Sequence, residues 1–361
     1  MHCRAFLFSL CHLALQLRIA TASPYQSRIQ ETGTVFPAPA EFGTWQMVSY
    51  SEDLIEYYDG LGSYTLPALA YIQTIGTSSG NVRIQIVPTN YGYVMSDNTA
   101  AFTLQNDGVW ELADYNNDGT LDLIYIQIRN TASGKVEISV VSGASNYKAY
   151  FLKNLPIVFD VQINGRWQMV DVDGDGSLDL VYIQNSNTAS NYAEVFVASG
   201  ASTFTKLTSQ TVSSLPISND GIWLLADGNM AGSYDLFFNQ NINTASGYVE
   251  VNVVSAASGY QTLIQGVPTT FSIENNGTWM MYDWNGDNVL DLIYIKQDDT
   301  PDISFYLTPS LRPVFMNTIG FSSIWIVFRS SMDRTLYLDF HLFALVFSIH
   351  HHSTIPNFLV I

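Results

Sequence analysis

Apolar and polar residues alternate along much of the chain with a period of two. Val136, Ile138 and Val140 fall on one side and Glu137 and Ser139 on the other, and Val249, Val251 and Val253 repeat the pattern. Such alternation predicts half-buried β-strands. Short apolar runs precede these segments at Leu121 to Ile126, Leu178 to Ile183 and Leu290 to Ile295, and each reads as a buried strand. The run and the alternating strand are separated by a turn: Asn130-Thr-Ala-Ser-Gly134, Asn187-Thr-Ala-Ser-Asn191 and Asn243-Thr-Ala-Ser-Gly247. A Ser-Gly-Ala-Ser type of turn and a final strand beginning at Tyr147, Phe204 or Tyr260 complete the unit. No stretch of this region has helical periodicity.

The unit recurs. A Gly-x-Trp signature stands at Gly43-Thr44-Trp45, Gly108-Val109-Trp110, Gly165-Arg166-Trp167, Gly221-Ile222-Trp223 and Gly277-Thr278-Trp279, the last four tryptophans spaced by 57, 56 and 56 residues and the first gap being 65. Each repeat holds about four short strands, which predicts an all-β propeller of five four-stranded blades. Separate sandwiches would need roughly 100 residues each. The fifth repeat runs out near Ser310, before its last strand. The segment from Tyr25 precedes Trp45 by 20 residues, as Tyr147 precedes Trp167, so an N-terminal strand is expected to complete the last blade and remove a free sheet edge.

An aspartate-rich loop follows the tryptophan in three repeats. Asp114, Asn116, Asp118 and Asp122 occupy positions 1, 3, 5 and 9; Asp171, Asp173, Asp175 and Asp179 repeat this, as do Asp283, Asn285, Asp287 and Asp291. Alternate oxygen-bearing side chains in a tight turn converge on one hard cation, and Ca2+ accepts six to eight oxygens. The backbone carbonyls at position 7, Thr120, Ser177 and Val289, are further candidate ligands. Position 6 must turn sharply and is Gly119, Gly176 and Asn288. The fourth repeat keeps Asp227, Asn229 and Asp235 but has Ala231 at position 5. The first has Ser49 in place of the opening aspartate and an enlarged loop containing Asp53 and Asp59, so neither is expected to hold a tight calcium site.

The tryptophans have two readings, sugar stacking or packing of blade on blade, and packing is the expectation because large aromatics carry core burial. By strand alternation the Asn-Thr-Ala-Ser turns lie on the face opposite the aspartate loops. Their Asn130, Thr131, Asn187, Thr188, Asn243 and Thr244 are candidate glycan ligands, although ordinary hairpin turns use the same residues.

The formal net charge of −18 argues against nucleic acid. Residues 1–22 read as a secretory signal, with an apolar Ala5 to Leu17 and a cleavage site at Ala20-Thr21-Ala22. Both cysteines, Cys3 and Cys11, fall inside it, so a secreted, extracellular mature chain beginning near Ser23 would carry no disulfide. One sequon, Asn276-Gly277-Thr278, hints at a surface loop. Residues 23–310 hold the repeats. Residues 311–361 match none of them, and their Phe/Ile/Leu-rich texture reads as a gene-model error or a membrane-associated tail, though Asp339 and His341 make it a poor membrane span. Histidine is absent from 23–310, and no cysteine nucleophile, zinc spacing, phosphate-cradling loop or nucleophile elbow is present there.

The aspartate loop followed by Leu-Asp-Leu-Ile/Val-Tyr-Ile resembles the FG-GAP/VCBS repeat of integrin-α-type propellers. The Trp…Asn-Thr-Ala-Ser-Gly…Val-Ser-Gly-Ala-Ser version resembles repeats of secreted fungal proteins and fungal propeller lectins. The resemblance implies calcium loops joining the first two strands of a blade. Together with the missing catalytic motifs and the Asn/Thr/Ser/Tyr-rich turns, it sets the expectation of function: a lectin-like, calcium-stabilised binding propeller without catalysis, with glycans or cell-wall polymers as partners. The alternatives are a glycan-active hydrolase or its appendage, and a protein-interaction or structural wall module.

Overall fold

The computed structural model describes residues 25, 30–37, 43–52, 64–88, 94, 96–228, 232–274, 277–287, 289–297 and 302–308, and beyond them 324–330, 334–341, 344–347 and 359–360. The chain divides into Met1–Arg312 and Pro313–Ile361. The first unit is all-β, with five four-stranded antiparallel sheets arranged as the blades of a propeller. The second carries a separate four-stranded sheet over Ile324–Ser330, Arg334–His341, Ala344–Phe347 and Leu359–Val360. The signal segment and the sequon's Asn276 lie outside the described residues.

In the propeller, β1 (Gln30–Pro37) precedes the first Gly-x-Trp. Blade one holds β2 (Gly43–Glu52), β3 (Tyr64–Gln73), β4 (Asn81–Pro88) and β5 (Ser96–Thr103). Blade two holds β6 (Gly108–Ala113), β7 (Asp122–Gln127), β8 (Lys135–Val141) and β9 (Tyr150–Asp160). Blade three holds β10 (Gly165–Val170), β11 (Asp179–Gln184), β12 (Tyr192–Ala198) and β13 (Leu207–Pro216). Blade four holds β14 (Gly221–Ala226), β15 (Asp235–Gln240), β16 (Tyr248–Val254) and β17 (Leu263–Ser272). Blade five is built from β18 (Gly277–Tyr282), β19 (Asp291–Lys296) and β20 (Asp302–Thr308), and β1 pairs antiparallel with β20 as its outer strand. The N-terminal strand therefore completes the last blade, and the edge of β20 is paired rather than open.

The first strands of the blades contact one another in the order β18, β2, β6, β10, β14, which makes them the innermost strands of the ring. Blades four and five share one core, in which Val249, Val251 and Phe271 pack with Trp279 and Tyr294. A backbone bond marks the four joints from blade one to blade five at the outer strands: Ala101 donates to the Tyr147 carbonyl, Val158 to Phe204, Ser214 to Tyr260 and Thr270 to Tyr25, at 2.8–3.1 Å. Tyr25, Tyr147, Phe204 and Tyr260 all have φ near +60°, so Tyr25 occupies in blade five the place its counterparts hold in the others.

The five tryptophans of the Gly-x-Trp signature are 2–5% exposed, which settles their role as packing. In each blade the indole stacks on the aromatic ring opposite it on the second strand, Tyr71, Tyr125, Tyr182, Phe238 or Tyr294, with centroids 4.2–4.4 Å apart. A phenylalanine from the preceding blade's outer strand meets it edge-on: Phe36 on Trp45, Phe102 on Trp110, Phe159 on Trp167 and Phe271 on Trp279, at 4.9–5.2 Å. At the joint between blades three and four, Leu215 packs in that place. Such pairs contribute about 0.5–1.5 kcal/mol each beyond their buried area.

The glycine of Gly-x-Trp follows from the same stack. A Cβ on Gly165 would lie 2.2 Å from the Ile183 carbonyl oxygen and 2.6 Å from the Tyr182 ring. Gly165→Ala is therefore expected to cost about 1–3 kcal/mol through overpacking, read as a lower denaturation midpoint. An unchanged midpoint would mean that the first two strands can part without loss.

Candidate metal centre in the aspartate loops

The three complete loops join the first and second strands of blades two, three and five, between β6 and β7, β10 and β11, and β18 and β19. The left-handed backbone expected at position 6 is present at Gly119 (φ +82°) and Gly176 (φ +86°), while Asn288 lies outside the described residues. Position 4 is left-handed as well, in Asn117, Gly174 and Gly286.

The opening aspartate organises each turn by accepting backbone N–H groups. Asp114 accepts from Asp118 and Gly119, Asp171 from Gly174, Asp175 and Gly176, and Asp283 from Gly286 and Asp287, at 2.8–3.2 Å. Position 3 also accepts the position-5 N–H, through Asn116, Asp173 and Asn285. Position 5 accepts from position 7: Thr120 N–H donates to Asp118, Ser177 N–H to Asp175 and Val289 N–H to Asp287, at 2.7–2.9 Å. The Asn116 and Asn285 amides donate to the position-5 carboxylates at 2.9 and 3.2 Å. Hydrogen bonds from Asn116 and Thr120 hold the Asp118 carboxyl below its ordinary range.

Position 9 does something the loop pattern alone does not show. Asp122 is fully buried and accepts from Tyr115 N–H at 3.0 Å and Gly143 N–H at 2.8 Å. Asp179 accepts likewise from Val172 and Gly200, at 3.1 and 2.9 Å. Each thus fastens the loop between strands one and two to the turn between strands three and four. Asp291 accepts from Trp284 N–H, and Asp235, in the blade without a position-5 carboxylate, accepts from Ala256 N–H at 2.8 Å. Its retention there identifies this aspartate as a structural fastener in its own right. Burial pushes the Asp122, Asp179 and Asp235 carboxyls up, and the other acids of the same loop push in the same direction.

One loop brings its carboxylates together tightly. Asp171, Asp173 and Asp179 each place an oxygen within 4.8 Å of the others, a hard-oxygen set that fits a divalent cation. Asp175 belongs to the loop but not to this group. The loops of blades two and three are hooked together, since Asn117 Nδ2 donates to the Gly176 carbonyl at 2.5 Å. In blade four Asp227 accepts from Gly232 N–H at 2.7 Å, and Asn229 and Ala231 lie outside the described residues. In blade one Ser49 Oγ shares a 2.7 Å hydrogen bond with the Tyr282 hydroxyl, and the loop containing Asp53 and Asp59 is also outside them.

The candidate glycan residues lie in the turns between strands two and three, on the opposite face. Asn130, Asn187 and Asn243 have φ of 54–55°, so asparagine is there first for a left-handed turn. Their carbonyls accept from the side chains of Gln127, Gln184 and Gln240. Thr188 Oγ1 donates to the Tyr192 carbonyl at 2.8 Å, and the Thr131 and Thr244 hydroxyls are buried without a partner. The threonines therefore face inward. The three asparagines remain exposed, Asn243 donating to Asp220 at 3.1 Å, and the strands that follow the Asn187 and Asn243 turns begin at Tyr192 and Tyr248, which are 43% and 48% exposed.

No family model and no curated protein matches the chain. Among the solved structures it resembles is an α-L-arabinofuranosidase of Podospora anserina in complex with cellotriose, at 11% identity and TM-score 0.46, covering 80% of this chain and 99% of that one. Another is an endo-arabinase of Bacteroides thetaiotaomicron, at 11% identity and TM-score 0.42, covering 77% and 97%. A third is a β-xylosidase/α-arabinofuranosidase from a compost metagenome, solved with xylotriose in a calcium-free form, at 11% identity and TM-score 0.43, covering 78% and 95%. At this level the likeness is one of fold. These findings correct the assignment to FG-GAP/VCBS repeats and to fungal propeller lectins, since no such family is matched and the similar structures are glycoside hydrolases. The expectation of a lectin-like module without catalysis, drawn from that assignment and from the absence of familiar catalytic motifs, is corrected by the same findings. The physical reason is that a nine-residue aspartate turn closing a hairpin is a local solution, open to any sheet that needs one.

The fastener and ligand roles separate experimentally. Asp235→Ala should cost about 1–3 kcal/mol by leaving the part-buried Ala256 N–H unpaired, equally with chelator or with added divalent cation. Asp173→Ala, which also gives up the hydrogen bond from Asp175 N–H, should lower the melting temperature far more with the cation present than with chelator. If Asp235→Ala is harmless, position 9 is not a fastener.

Proposed function

We propose that this chain is a calcium-stabilised, secreted propeller of the glycan-active hydrolase kind, acting as the hydrolase or as the glycan-holding part of one. The observation that carries the metal assignment is the convergence of Asp171, Asp173 and Asp179, three carboxylates whose mutual repulsion a bound cation would offset. All-oxygen donors in a flexible turn suit Ca2+ better than a metal preferring nitrogen or sulfur. The loops around Asp114–Asp122 and Asp283–Asp291 share the hydrogen-bonded frame and are assigned the same ion. The position-7 carbonyls of Thr120, Ser177 and Val289 are further donors.

The glycan assignment is supported by the opposite face. Exposed Tyr192 and Tyr248 stand beside the Asn187 and Asn243 turns, and an aromatic ring next to neutral amides suits a neutral sugar. Cellotriose and xylotriose are the ligands named for structures of similar fold. The apolar N-terminal segment with its Ala-Thr-Ala site supports export.

Calorimetry of the folded protein should show uptake of close to three calcium ions, and chelation should lower the melting temperature. Absence of calcium uptake would remove the metal assignment. Incubation with arabinan, xylan and short neutral oligosaccharides should yield cleavage products, or binding that Tyr192→Ala and Tyr248→Ala weaken without changing calcium uptake. Neither cleavage nor binding across that panel would overturn the glycan assignment.

A further inference from the structure

The innermost strand of each blade has an edge that its own sheet leaves unpaired, and at three of the five joints a polar side chain from the preceding blade bonds to it. Gln46 of β2 brackets Leu112 of β6: its Nε2 donates to the Leu112 carbonyl and its Oε1 accepts the Leu112 N–H, both at 2.8 Å. Gln168 of β10 brackets Leu225 of β14 in the same way, at 2.9 and 3.0 Å. Both glutamines sit one residue after the tryptophan, and both targets sit two residues after the next tryptophan. At the two joints where this position is apolar, Leu224 and Met280 pack into the blade interface instead.

At the joint between blades two and three the position is Glu111. Its Oε2 accepts the Met169 N–H at 2.9 Å, and Met169 is the equivalent of Leu112 and Leu225. By that equivalence the second carboxyl oxygen takes the place of the glutamine Nε2, opposite the Met169 carbonyl. Two bare oxygens facing each other there would repel, whereas an O–H would donate. We propose that Glu111 is a proton-operated clasp: as the neutral acid it reproduces both hydrogen bonds of the glutamine bracket, and as the carboxylate it keeps only the one from Met169 N–H.

Burial supports this by pushing the Glu111 carboxyl up to about 8, opposed only by the Met169 N–H. No charged group enters that balance. The strands on either side present Gln46 from β2 and Trp167 and Met169 from β10, Arg166 alternates onto the far face of β10, and Asp122 and Asp179 stand at the starts of β7 and β11. The sign follows from linkage. A glutamate raised in the folded state contributes stability that is complete below its ordinary range near 4.5 and is lost as the pH rises through about 8. The clasp is thus shut in acidic and neutral media and loosens in alkaline ones. The inference stands independently of the glycan and calcium assignments.

Melting of the full-length protein between about pH 6 and about pH 9.5, at fixed calcium, reads the clasp directly. The wild type should lose several degrees across this range, and Glu111→Gln should fold and flatten the loss. Gln168→Glu should add a second loss at the next joint, because it installs the same acid in the same bracket. Infrared difference spectra of wild type against Glu111→Gln at about pH 6 should contain a protonated-carboxyl band. Failure of Glu111→Gln to fold, an unflattened loss, or a carboxylate band at that pH would each overturn the proposal.

Discussion

Each blade is sealed to the next through a glycine. Because Gly108, Gly165 and Gly277 carry no Cβ, the second strand of the blade comes close enough to slide its tyrosine ring under the tryptophan. The indole is then pinned between that ring and a phenylalanine from the preceding blade. Close approach of two strands within one blade therefore sets the apolar surface on which the neighbouring blade packs. With no cysteine in residues 23–310, this stack, the brackets on the innermost strands and the paired outer edge hold the ring.

The ring was legible because its devices recur in sequence. Gly-x-Trp at near-constant spacing gave the blades, period-two alternation gave the strands, and the Tyr25 match gave the missing outer strand. What could not be read is what depends on a partner far along the chain. Gln46, Glu111 and Gln168 look like ordinary polar residues of amphipathic strands, yet each reaches a backbone 57–66 residues away. Their shared place after tryptophan was a visible signal. Its meaning required the neighbouring blade.

The aspartate loops show the opposite failure. Their oxygen pattern was plain, and it suggested one role for all four positions and one family for the chain. The structure divides the labour: positions 1, 3 and 5 shape the turn by accepting N–H groups, whereas the buried aspartate at position 9 ties that turn to the one between strands three and four. A similar division holds on the other face, where Thr188 of an Asn-Thr-Ala-Ser turn closes the turn itself and tyrosines outside the motif are exposed. Local patterns report local geometry faithfully. They report kinship and ligand poorly.

The claim on which the rest stands is that the ring is closed by the chain's own N-terminal strand, with Thr32 opposite Phe305 and Gly33 opposite Ser304. Hydrogen exchange resolved along the chain tests it most directly. The account predicts that the amides of 30–37 and 302–308 are protected together, and that deleting residues 24–37 strips protection from 302–308. Exchange of 30–37 at the rate of a free chain, with 302–308 still protected, would contradict it.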